Sequence, residues 1–195
     1  MRATKIFAIV LTAATLSCIV LDACSINVKK EPNGQDKQVD IRTPIGGIHV
    51  SKEANAGDVG LPVYPGARPK EQDSNGNDKS ANVNISGFGY GLRVVALEYQ
   101  SNDSPEKLTS FYRDQLKKYG DVLVCHSSGH FHVKADAKDS GRATRELACE
   151  SSGGQNVELK VGTQENQHIV AIEPDGKGSS FSLVYVRTHG KEAEI

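Results

Sequence analysis

The chain has no tryptophan, a single methionine and only 6% aromatic residues. A core without large rings must be filled by Val, Leu, Ile and Tyr, and the 19 glycines predict frequent turns. Neither charge is in excess, with 23 basic and 24 acidic residues. Nucleic-acid binding needs a basic face, so no nucleic-acid partner is expected. Signatures of catalysis are missing as well: there is no Gly-x-Ser-x-Gly elbow, no His-Glu-x-x-His and no Cys-x-x-Cys. Gly87, Gly89 and Gly91 lack the spacing of a dinucleotide loop and lie between two strand-like segments, where a hairpin explains them. The Asp175-Gly176-Lys177-Gly178 segment lacks the earlier glycine of a phosphate loop and reads as a turn. The expectation is a protein that is not an enzyme and holds no cofactor. A hydrolase with a site assembled from distant residues is the weakest of the readings kept, having no positive sign.

What is present begins with one apolar run. Arg2 and Lys5 precede residues 6–21, which carry no charged side chain. The run is shorter than the roughly 20 apolar residues that a membrane-spanning helix needs, so residues 1–23 read as an export signal. It ends in Leu21-Asp22-Ala23-Cys24, which resembles the lipobox of bacterial lipoproteins, where the cysteine receives the lipid. That resemblance implies acylation of Cys24 and a partner that is the membrane itself. The rival, Cys18 in Thr15-Leu16-Ser17-Cys18, lacks a Leu three positions before it. A plain cleaved signal with a free periplasmic product is the other alternative. In each case the expected location is the cell envelope, with the folded part in the periplasm.

Once Cys18 and Cys24 are set aside, Cys125 and Cys149 remain in a chain that matures in an oxidising compartment, and they are expected to be bonded to each other.

Residues 24–60 are polar and read as a tether, interrupted by an alternating segment at 39–50 that suggests a small hairpin. A single domain is expected over 61–190. Within it, Ala81, Val83 and Ile85 alternate with polar residues as in a strand with one wet face, and residues 92–99 are apolar almost throughout. Ser104 as cap, Pro105 at the first position, and Leu108, Phe111, Tyr112, Leu116 and Tyr119 at helical spacing predict an amphipathic helix ending at Gly120. Residues 121–126, 145–150, 156–162, 168–173 and 180–187 are strand-like. The fold expected is α+β: an antiparallel sheet of about six or seven strands with one amphipathic helix packed on one face.

Tyr64-Pro65-Gly66-Ala67, followed by Asp103-Ser104-Pro105-Glu106-Lys107-Leu108, Phe111-Tyr112, Leu116 and Gly120, resembles a pattern of uncharacterised bacterial envelope lipoproteins. The resemblance covers residues 62–120. It implies an anchored α+β domain and brings no catalytic residue.

Three histidines stand close together at His126, His130 and His132. On an extended strand His130 and His132 share a face, as two metal ligands would, and Asp136 or His168 could complete a set. Lys134, Lys138, Arg142 and Arg145 nearby oppose a bound cation, so the cluster is not expected to be the working site. The function expected is that of a membrane-anchored binding or interaction module with an envelope protein or the cell wall as partner. A periplasmic metal-binding or sensing protein using the histidines is the alternative.

Overall fold

The structure is a computed structural model and describes residues 24–30, 36–70, 80–128, 146–149 and 153–189. Ten strands among them form one antiparallel sheet. In chain order they are β1 (Ser25–Lys30), β2 (Asp36–Thr43), β3 (Gly46–Ser51), β4 (Arg68–Pro69), β5 (Ser80–Gly87), β6 (Tyr90–Ser101), β7 (Leu123–Ser127), β8 (Asn156–Thr163), β9 (Asn166–Asp175) and β10 (Gly178–His189). Helix α1 spans Ala56–Val59, and α2 spans Pro105–Leu116 with a 3-10 turn, Lys117–Tyr119, after it. Across the sheet the order is β1-β2-β3-β5-β6-β10-β9-β8-β7, with β4 paired to β6.

This is a mostly-β fold, and it corrects the expectation of an α+β domain with six or seven strands. Much of the difference lies in residues 24–60, whose described part supplies β1, β2 and β3 to the same sheet where a tether was expected. Their average polarity conceals strict alternation: Ile26 and Val28, Val39 and Ile41, Ile48 and Val50 each occupy every second position. The hairpin expected at 39–50 is the β2–β3 pair. Residues 146–149, inside a segment expected to be a strand, have no regular structure.

Residues opposite one another in an antiparallel ladder share a face. Ile26, Ile41, Ile48, Ile85 and Leu92 lie in one such row over five strands, and Val28, Val39, Val50, Val83, Val94 and Val186 in the next over six. The opposite face of the same strands carries Asn27, Asp40, His49, Asn84 and Arg93 in register. Further along, the two faces change character. Val95, Leu97 and Tyr99 of β6, Phe181 and Leu183 of β10, Val170 and Ile172 of β9, and Leu159 and Val161 of β8 are buried beneath α2 and the 54–67 segment. Behind them Ile169, Val184 and Val186 form a second, smaller buried cluster.

Helix α2 forms where its sequence predicts. Ser104 is extended and Pro105 occupies the first turn, and Leu108, Tyr112 and Leu116, each four apart, are fully buried. Burying side chains of this size contributes about 1.5–3 kcal/mol each. Its end differs from the expectation: the last turn tightens into the 3-10 segment, and Gly120, at φ 137° and ψ −161°, is not in the left-handed helical region. At the β7 edge Cys125 and Cys149 form the expected disulfide, with Cα atoms 5.4 Å apart. No described helix is long and apolar enough to cross a membrane.

One turn breaks the usual chemistry. The β5–β6 hairpin closes through Phe88 and Gly89 at φ 53° and 82°, the pattern of a type I′ turn that favours Asn-Gly. A bulky side chain in this left-handed region costs on the order of 1 kcal/mol. Phe88 recovers nothing by burial, being 83% exposed.

Candidate functional site

The histidines are not gathered into a site by the described fold. His126 lies exposed on β7, opposite Val157, while His130, His132 and Asp136 fall outside the described residues. His168, on β9, is half-buried between rings, stacked on Tyr119 at 3.8 Å and 4.9 Å from Tyr185. Burial, and secondarily the nearby Lys118 ammonium, lowers its pKa from the usual 6.5. His126 is in the row of Val157 and Ile172, whereas His168 pairs with Val161. The rows are four residues apart along β9, or about 13 Å, too far for one ion. Among the described residues no three His, Cys, Asp or Glu side chains are placed to hold a metal.

Cys24 has an exposed free thiol immediately before β1. Ser25 pairs with Arg42, and β2 ends at Thr43. The cysteine therefore leaves the sheet at the end where the β2–β3 turn projects Pro44 and Ile45. That turn touches the Phe88 turn, since the Phe88 amide donates to the Ile45 carbonyl at 3.2 Å. The contact requires a glycine at position 46, because a Cβ there would collide with the backbone of Ser86 and Gly87.

The opposite end of the sheet is polar. The β9–β10 turn, the end of β6 and the segment before β4 surround a shallow hollow of about 540 Å3 lined by Arg68, Gln100, Asn102, Asp175, Lys177 and Ser179, among others. Joined to it through Ser179 is a hydrogen-bonded knot built around Tyr64, Asp103, Lys107 and Tyr112. The Tyr64 hydroxyl donates to the Asp103 carboxylate at 3.0 Å, and Lys107 donates to the same carboxylate at 2.7 Å. The Ser179 hydroxyl donates to the Asp103 carbonyl at 2.8 Å. The Tyr64 amide donates to the Tyr112 hydroxyl at 3.0 Å, and the Tyr64 ring meets Phe111 edge-on at 5.1 Å.

The Lys107 ammonium, and then the Tyr64 hydroxyl, hold the Asp103 carboxyl below the usual carboxylate range. Burial raises the phenol of Tyr112. The Tyr-Pro-Gly-Ala and Asp-Ser-Pro-Glu motifs thus pin an extended segment to the start of α2, which is a structural task. The adjoining hollow offers two cations, a carboxylate, amides and hydroxyls, a set suited to hydrogen bonding. Sequence reasoning read its Asp175–Gly178 flank only as a turn. The signal available there was the clustering of polar side chains in a hairpin loop. Comparison with protein-family models, with curated proteins and with solved structures finds no match.

Proposed function

We propose that this is a non-enzymatic envelope protein, exported by residues 1–23, acylated on Cys24 and anchored to a membrane. It presents the polar end of its sheet to another envelope protein or to the cell wall in the periplasm. The observation that carries the reading is the position of Cys24. The cysteine that closes the lipobox-like sequence is exposed at one end of the sheet, and the polar hollow lies at the other. An acyl chain at the first end leaves the second directed away from the bilayer. The Cys125–Cys149 bond supports maturation in an oxidising compartment.

The test is cell fractionation with intact mass measurement. Wild type should sediment with membranes and carry an acyl-sized mass, and Cys24→Ser should abolish both. If Cys18→Ser does so and Cys24→Ser does not, the wrong cysteine has been assigned. If neither substitution changes the fraction or the mass, the protein is not lipid-anchored.

A further inference from the structure

Among the described residues, five of the seven exposed large apolar side chains are gathered at one end of the sheet, Val28 and Tyr119 being the other two. Ile45 and Phe88 occupy the tips of two adjoining hairpins at 59% and 83% exposure, and Tyr90, at 42%, begins β6 beside them. Ile26 and Ile48, at 72% and 39%, lie in the third ladder row from the tips, the first apolar one. Phe88 adopts a left-handed conformation that Asn or Gly would take more readily, and it gains no burial within the fold. Residues held in such conformations without internal compensation concentrate at functional sites. These side chains are at the end of the sheet from which Cys24 emerges.

We propose that this end is a lipid-contact surface, in which Ile45, Phe88 and Tyr90, flanked by Ile26 and Ile48, seat in the interfacial layer of the phospholipid bilayer that holds the Cys24 acyl group. The proposal rests on acylation of Cys24 and adds an orientation to it. No spacer separates the anchor from the fold, because β1 begins at Ser25. Three to four strand spacings between Cys24 and the Phe88 tip amount to about 14–19 Å, so a lipid held at one edge brings this end to the bilayer surface. Apolar side chains of this kind seat about 5–10 Å into the headgroup and acyl boundary. The anchor is thereby converted from a leash into one corner of a platform. The β9–β10 turn lies at the far end of β6, about 37 Å away, clear of the headgroups.

The absence of tryptophan makes a direct test available, because a single indole is an unambiguous reporter. The full chain, expressed with its own leader and purified in detergent, is reconstituted in phosphatidylethanolamine and phosphatidylglycerol vesicles with brominated acyl chains. It is prepared once as Phe88→Trp and once as Lys177→Trp, the latter in the β9–β10 turn. Intact mass and sedimentation report acylation, and fluorescence reports depth. The indole at position 88 should be blue-shifted and lose about half of its emission to bromine, while that at 177 emits as in water. An acylated, sedimenting protein whose position 88 is unquenched overturns the tip assignment alone. Equal quenching at both positions overturns the end-on orientation. Absence of the acyl mass together with failure to sediment overturns the anchor, and the lipid-contact surface with it.

Discussion

Strands β6, β9 and β10 and strands β1–β3 follow the same two-residue alternation, yet they end in different surroundings. The first group carries apolar residues on both faces: Phe181 and Leu183 face α2, and Val184 and Val186 face the opposite way, all buried. The second group is apolar on one face only, and Ile26, Val28 and Ile48 on that face remain exposed. Edge pairing extends a sheet by backbone hydrogen bonds without extending its core. A protein can thus append strands whose apolar face serves something outside the fold. The comparison also runs end to end, since the apolar tips accompany Cys24 and the polar hollow lies opposite.

Truncating one residue from each group separates the two surroundings by their energetic weight. Leu183→Ala, in the fully buried cluster, should lower unfolding free energy by about 3–5 kcal/mol, and Ile48→Ala by less than about 1 kcal/mol. Urea denaturation of the two variants checks it. Similar losses at both positions would mean that the outer strands belong to the core.

Next in size is the cross-link at the β7 edge. Replacing Cys125 and Cys149 by Ser should cost about 3.5 kcal/mol by the chain-entropy argument for a loop of this length. The loss should appear in thermal melts of the oxidised protein and vanish when both proteins are melted under reducing conditions.

The expectation for Phe88→Asn has the opposite sign. Asn suits the left-handed turn and no buried contact is lost, so stability should rise by about 1 kcal/mol or less. If Phe88 seats in a bilayer as proposed, the same substitution should weaken vesicle protection of residues 86–91. A fall in melting temperature would show that Phe88 packs within the chain.

The smallest effect concerns pH. His168 is held neutral by burial, so its folded pKa is below the unfolded 6.5. The unfolded chain then binds the proton first. This contribution is complete above the unfolded pKa and is lost as pH falls below it towards the folded value. Melting temperature should therefore drop between neutral pH and the low-pH side of that window, and His168→Phe should flatten the drop.

What the sequence made legible follows from how much of each signal is local. Helix α2 could be read because cap, proline and apolar spacing occur within a dozen residues. Strands β8, β9 and β10 could be read because turn residues bracket their alternation. β1 could not, since six residues with two apolar side chains look like any polar linker until a partner strand lies beside them. The disulfide followed from compartment and elimination. The hollow depends on Arg68, Asn102 and Asp175 being brought together by pairing between distant segments, and no spacing announces that. The role of Phe88 required its backbone angle, because a Phe between glycines is otherwise an ordinary hairpin residue.

In the proposed orientation one end of the sheet meets the membrane and the other does not. Hydrogen exchange read by mass spectrometry, on the acylated protein first in detergent and then on vesicles, tests it most directly. Peptides covering residues 43–48 and 86–91 should exchange more slowly on vesicles, while those covering 174–179 remain unchanged. Slowing at 174–179, or no slowing at either hairpin tip, would rule out this orientation.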